Sequence, residues 1–555
     1  MSSTDLTAIP PQRSRSGSRS RSSSKNRTQP NSRSSSGTRR PSLSGRRSLS
    51  SSSLTKLTVT QTNIDTDRSI PTVDITLDNS LPLDFFKQDL LALIKALRIS
   101  KWHKRQLTVS NLIVNRISGA LTNSIYKLEY FDHQQNLRLP SLLLRVYGKN
   151  VDELIDRESE LKTLIKLSSK RIGPRLLGIF TNGRFEQFLE GFITLGKKDI
   201  RDQIISQMLG RRMKDLHYKI ELSHEDLNSL PMSWRLIIKW LDLYEQEYLP
   251  IHLKSEYDPT DVFFVEFQKF KQLVFQYKDW LFSKYDQSSF SSNYKFCHND
   301  TQYGNLLLHE SFDRQDIIND DQHNDEDTAI TVTSNKKDSN LVVIDFEYSG
   351  SNFPALDIVN HFSEWMSDYH DEKQSYYIHN ENYPSQVEQL NLIKSYIEYD
   401  FQFPSTNLIT NTQISLDQQN ISASDLIEFE IKKLYNECIY WRATVQIYWC
   451  LWGLIQNGPV KIPSLTSNST VEKGVDGTYT ITTNGIENLS INDNDVAVEE
   501  AISSSDDDFD YLKYSQQKIA LVMGDLIQFG FLSKDDIDEK YHSIIKVLDT
   551  KLYDI

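Results

Sequence analysis

From Leu81 the chain settles into regular patterning. Phe85, Phe86, Leu90, Leu91, Ile94 and Leu97 recur at helical spacing behind Pro82 and Asp84, which predicts a helix with one apolar face. Leu112-Ile113-Val114 then reads as strand and Ser118-Gly119 as a turn. Tyr126, Leu128 and Tyr130 alternate with Lys127 and Glu129, as in a half-buried strand. Leu142-Leu143-Leu144-Arg145-Val146-Tyr147 has the composition of a buried strand, and a helix through Glu158 and Leu164 follows. Ile179-Phe180 and Phe185-Glu186-Gln187-Phe188 flank Asn182-Gly183, a hairpin signal. After Gln187 the period becomes helical, with Ile204, Ile205, Met208, Leu209, Met213 and Leu216 on one face.

Composition divides the chain further. Residues 1–56 hold ten Arg and two Lys against one acid, a charge of +11, so the remainder carries −24 of a total of −13. With 20 Ser in the first 53 residues and almost no large apolar side chains, this head cannot offset its ordering entropy. The expectation is a disordered Ser/Arg-rich head over 1–80. Arg39-Arg40-Pro41-Ser42 and Arg46-Arg47-Ser48-Leu49-Ser50 fit a basophilic regulatory protein kinase and equally fit a solvated basic tail. Residues 311–340, with eight acids, and 459–508, rich in Ser, Thr, Asn, Gly and Asp, read as mobile surface insertions. The acidic balance argues against a nucleic-acid partner. No stretch approaches the ~20 apolar residues of a transmembrane segment, and no secretory h-region opens the chain. Three scattered cysteines, Cys297, Cys438 and Cys450, fit a reducing, cytoplasmic location.

The chemistry concentrates in two blocks. Cys297-His298-Asn299-Asp300 is followed, five residues after the Asp, by Asn305 and then by Leu306-Leu307-Leu308. Past the acidic insertion, Leu341-Val342-Val343-Ile344-Asp345-Phe346-Glu347 is a buried strand ending in an acid. Kinase-type phosphoryl transfer needs one Asp to receive or orient the hydroxyl, an Asn on a metal, and a second Asp on the metals that bridge the phosphates. Asp300, Asn305 and Asp345 fill those places, with Asn305 and Asp345 as metal ligands. Upstream, Gly119, Ala120, Leu121, Thr122 and Asn123 lie in a turn able to offer N–H groups to phosphates. Arg145, inside an apolar strand, needs a partner if buried, and Glu158 in the next helix is a natural one. Gln187 and Leu189 lie where strand gives way to helix, as an adenine-contacting hinge would. Tyr348, Glu364, Tyr369, Trp449, Trp452 and Tyr514 together have the composition of a cage for an ammonium ion. Trp449 and Trp452, three apart, share a helix face, which by itself is more often core.

Taken together these segments resemble the choline/ethanolamine kinase family, over about Leu81 to Ile455 and again near Tyr511, and the fungal choline kinases in particular. The resemblance rests on Ile117 to Asn123, Leu144 to Gly148, Gly183 to Phe188, Cys297 to Asn305, Ile344 to Tyr348 and His361 to Tyr369. It implies an α+β class and a two-lobed protein-kinase-like fold. The small N-terminal lobe, 81–190, would carry an antiparallel sheet and bind ATP. The larger, mostly helical C-terminal lobe, 191–555, would hold the catalytic and acceptor sites. It also implies ATP and Mg²⁺, and phosphorylation of choline to phosphocholine, the first step of the CDP-choline route to phosphatidylcholine. Gln302 would join Glu364 in placing the acceptor. Glu364-Trp365-Met366 with Tyr369 resembles the choline branch. Ethanolamine is the first alternative acceptor, an aminoglycoside-type phosphotransferase the second, and an inactive scaffold the third. A homodimer is a further expectation.

Overall fold

The computed structural model describes residues 59–65, 68–117, 123–147, 157–170, 172–254, 258–313, 338–402, 422–458, 470–474, 477–481 and 509–555. The N-terminal patterning forms β1 (Val59–Asp65), β2 (Arg68–Val73), α1 (Leu83–Ala96), β3 (Leu112–Ile117), β4 (Asn123–Asp132), β5 (Leu137–Arg138), β6 (Leu142–Tyr147), α2 (Arg157–Lys170), β7 (Leu176–Phe180) and β8 (Gly183–Gln187). The eight strands make one sheet, ordered β1-β2-β7-β8-β6-β4-β3 with β5 beside β4. All pairs are antiparallel except β2 with β7. α1 lays Phe86, Leu90, Leu93, Ile94 and Leu97 against the sheet, while Phe85 faces solvent. The helical spacing thus placed the element, and Leu93 takes the core position that Phe85 was expected to share.

Ordered chain begins before residue 81, within the span expected to be disordered. β1 and β2 join the sheet, and Val73, Ile75 and Leu77 are buried beneath it. Polar composition hid a strand pair in which Ile70 and Val73 are buried. Deleting 1–56 is expected to leave the melting temperature unchanged. Deleting 1–80 should cost about 5 kcal/mol or more, because each buried Val, Ile or Leu side chain is worth ~1.5–3 kcal/mol. Thermal melts of the two truncations check this, and equal melts would refute it. Ser42 and Ser50 lie outside the described residues.

The remaining chain builds a helical lobe around two small sheets. Its elements are β9 (Phe192–Thr194), α3 (Gln203–Lys219), α4 (Met232–Leu243), α5 (Phe267–Phe282), β10 (Lys295–Cys297), β11 (Leu306–His309), β12 (Leu341–Val343), β13 (Gly350–Asn352), α6 (Pro354–Glu364), α7 (Gln386–Gln402), α8 (Ala423–Asn457), β14 (Thr470–Gly474), β15 (Gly477–Ile481) and α9 (Tyr511–Gln528). β9, β11 and β12 form one antiparallel sheet, and β10 pairs with β13. The second expected insertion includes the β14–β15 hairpin, and most of the first lies outside the described residues.

α8 packs against α4, α6, α7 and α9. A buried ion pair, Arg442 Nε to Asp525 Oδ2 at 3.0 Å, ties it to α9. Gly453 lets the two helices close: a Cβ there would stand 2.5 Å from Ser515 Oγ and 3.1 Å from Tyr514 Cδ1.

Candidate active site

β10 ends in Cys297 and releases a loop whose backbone is held from below. Asp357, fully buried on α6, accepts the His298 N–H through Oδ2 and the Asn299 N–H through Oδ1, each at 2.9 Å. His217 of α3 approaches Asp357 Oδ2 at 3.0 Å and Tyr396 of α7 at 2.8 Å. Burial works to raise the Asp357 carboxyl, but these donors outweigh it and hold it below the usual carboxylate range. His217, Cys297 and Asp357 cluster closely enough to suggest a metal site. Each is engaged otherwise: the Cys297 thiol faces the Asn352 carbonyl, and burial pushes that thiol up. Asn299 takes a left-handed φ of 65°. Its amide bonds the Tyr348 carbonyl, and its carbonyl accepts from Asn352, both at 2.9 Å.

This support presents Asp300. Asn305 Nδ2 donates to Asp300 Oδ2 at 2.8 Å and to the Asp300 carbonyl at 2.9 Å. The five-residue spacing thereby closes a small ring that fixes both side chains. Burial, then the nearby carboxylates of Glu364, Asp345 and Glu347, push the Asp300 carboxyl well above its ordinary value. Gln302 caps the turn that carries Asn305, its Oε1 accepting from the Gly304 N–H at 3.2 Å.

Asp345 follows β12, also at φ 65°, and faces the N-terminal lobe. Arg145 of β6, 5% exposed, reaches it from Nη1 at 3.0 Å and lies 3.8 Å from Glu186. Burial opposes the Arg145 charge, but Asp345 and the other acids outweigh it and raise its pKa. The expected partner Glu158 sits on α2, and its side chain lies outside the described residues. So do Gly119, Ala120, Leu121 and Thr122, between β3 and β4; Asn123 opens β4 opposite Tyr147. Gln187 ends β8, where its Oε1 accepts from Arg175 Nε at 2.9 Å. Leu189 lies in the short passage from β8 to β9, where the chain leaves one lobe for the other.

The aromatic residues converge from three segments. Trp452 Nε1 donates to Tyr348 Oη at 2.8 Å, and Trp449 Nε1 to Asn360 Oδ1 at 2.7 Å. Ring centroids lie 5.4 Å apart for Trp449 and Trp452, 5.4 Å for Tyr348 and Trp449, and 6.2 Å for Trp452 and Tyr514. Glu364, at the end of α6, accepts from Tyr369 Oη at 2.7 Å and faces Lys518 of α9 at 3.7 Å.

His361 braces the same loop from α6. Its Nε2 accepts from Trp365 Nε1 at 3.0 Å, so the proton sits on Nδ1, which donates to the Thr301 carbonyl at 2.9 Å. That neutral form is enforced by burial, which lowers the pKa from 6.5 to about 4. The unfolded chain therefore takes up this proton first as pH falls. The stabilisation is complete above pH 6.5 and declines towards pH 4, by up to about 3 kcal/mol. Thermal melts across that range should show a loss that His361→Gln lessens. An identical slope in the variant would contradict the assignment.

The fold and the site define a two-lobed kinase-type phosphotransferase. The family profile described as choline/ethanolamine kinase matches residues 114–523, and that of the choline kinase N terminus matches 61–111. The chain is 37% identical over 516 residues to a choline kinase of Saccharomyces cerevisiae, covering 87% of this chain and 82% of that one. It is 32% identical over 510 residues to an ethanolamine kinase of the same yeast, covering 86% and 83%. A choline kinase structure from Cryptosporidium parvum superposes with a TM-score of 0.51 at 19% identity, over 80% of this chain and 97% of that chain, which supports the fold. The chain belongs to the choline/ethanolamine kinase family.

Sequence reasoning passed over Asp357, His217 and Lys518, and gave His361 no role of its own. Asp357 carried a signal, a lone acid between Leu356 and Ile358 just after Pro354. Lys518 continues the spacing of Tyr511 and Tyr514 at i, i+3 and i+7, which places all three on one helix face.

Proposed function

We propose that this chain transfers the γ-phosphoryl group of ATP to the hydroxyl of choline, giving phosphocholine, with ethanolamine as a second acceptor. The observation that carries this reading is the meeting of Trp449, Trp452, Tyr348 and Tyr514, with a buried Glu364 whose charge acts on Tyr514 and lies near enough to Asp300 for the two carboxylates to repel. Aromatic faces attract a desolvated quaternary cation by about 2 kcal/mol, and the carboxylate adds complementary charge. The named activities of the yeast relatives, choline kinase and ethanolamine kinase, agree with it. An aminoglycoside-type transferase leaves these rings unexplained.

In this mechanism the cage seats the ammonium and turns the hydroxyl towards Asp300, whose raised basicity suits it to accept the proton as the oxygen attacks in line. Arg145 and the 119–123 turn neutralise phosphate charge, and Gln187 and Leu189 border the adenine. Glu158 steadies Arg145, and Gln302 keeps the Asn305 turn closed beneath the acceptor. Asn305 and Asp345 would hold Mg²⁺: a carboxylate and an amide oxygen are hard donors that suit this ion, which neutralises phosphate charge when bound. The ATP-binding lobe runs to about residue 190, and the acceptor-binding lobe follows it. Among the described residues no helix is long and apolar enough to cross a membrane. The three cysteines are buried and free, in keeping with the cytoplasm. A homodimer would be detected by sedimentation, and a regulatory kinase by phosphate at Ser42 or Ser50.

Trp452→Ala tests the reading. Choline KM should rise roughly 5- to 30-fold at nearly constant ATP KM, with ethanolamine affected less. An unchanged choline-to-ethanolamine ratio, with only a lower melting temperature, would make the tryptophans core.

A further inference from the structure

Lys518 is fully buried on α9, 3.7 Å from Glu364 Oε1 and 5.0 Å from the Tyr514 ring centroid. Among the described residues no acceptor lies within hydrogen-bond distance of its Nζ. The charged and titratable groups around it come from every side. Glu364 stands on α6, Asp300 on the catalytic loop, Cys450 on α8, and Lys546 on the C-terminal tail. Burial lowers the basicity of this amine, and Glu364 opposes that. A buried ammonium is costly, and Leu or Met would fill the same space without that cost. Its contact is with the carboxylate of the acceptor site.

We propose that Lys518 is a specificity-determining residue, which keeps Glu364 already paired so that the cage favours a quaternary ammonium over a primary one. This rests on the function proposed above. A trimethylammonium group has no N–H to donate. It is held by ring faces and by charge at a distance, and needs no free carboxylate oxygen. A primary ammonium brings three donors and loses more hydration on entry. It requires acceptors at hydrogen-bond distance. Glu364 Oε2 accepts from the Tyr369 hydroxyl at 2.7 Å, and Oε1 faces the Lys518 charge at 3.7 Å, an ion-pair distance. The primary amine therefore meets its best acceptor in competition with a cation built into the protein, and enters with donors unmet.

The test uses the full-length enzyme with ethanolamine, its N-methyl and N,N-dimethyl forms, and choline. In the wild type, kcat/KM should climb as N–H groups are replaced by methyl. In Lys518→Met the series should flatten, the choline-to-ethanolamine ratio falling about tenfold through the amine KM, with the ATP KM unchanged. Lys518→Arg should restore the wild-type preference. A ratio within twofold of wild type in a folded Lys518→Met overturns the inference and leaves the proposed function standing. If Lys518→Met does not fold, a wild-type series that stays flat overturns it instead. A wild type that phosphorylates none of the four amines overturns both.

Discussion

Asp300→Ala is expected to lower kcat by about 10²–10⁴-fold, the usual contribution of a positioned base. ATP KM should change little, because Arg145 and Asp345 keep their contact at 3.0 Å without it. The fold should not suffer. Asp300 is held beside Glu364, Asp345 and Glu347, and its removal relieves that crowding. The expected signature is a nearly inactive enzyme with an equal or higher melting temperature. Single-turnover rates and thermal melts on one preparation check both halves. Activity within a few-fold of wild type would end the assignment of Asp300.

Asp357→Ala should act in the opposite way on stability. Asp357 accepts two loop N–H groups and meets His217, all of them buried. Its loss strands these donors where water cannot reach them, at a cost of about 3–5 kcal/mol. It also frees the Asn299 backbone from its left-handed turn, so Asp300 loses its fixed direction. We expect a large fall in kcat together with a fall in urea midpoint. A variant as stable as wild type would show that the loop is held by other contacts.

The residues of the site differ in how far they could be read from sequence. Asp300 and Asn305 are five apart, and their mutual hydrogen bond is a local event, so spacing alone announces it. Trp449 and Trp452 could be placed on one helix face for the same reason. Whether that face met Tyr348 and Tyr514 depended on α8 and α9 closing, which periodicity does not encode. Arg145 shows the limit: its need for a partner was legible, while Asp345 as a partner was not. Asp345, 200 residues away, stands 3.0 Å from it. The β1–β2 pair was misjudged because Ser, Thr and Asp dominate Val59–Val73, and burial of a few side chains decided its fate. His217 and Asp357 are 140 residues apart and gain meaning only through each other.

The close approach at Gly453 has a consequence for how the enzyme is made. α9 supplies Tyr514 and Lys518, proposed as one wall of the acceptor site, and it follows every other residue assigned to that site in the chain. A nascent chain arrested at residue 510 already contains Asp300, Asn305, Asp345 and both tryptophans, yet has nothing to press against Gly453. A nonsense codon just before Tyr511 would thus yield a protein retaining the residues assigned to ATP and lacking one side of the proposed choline site.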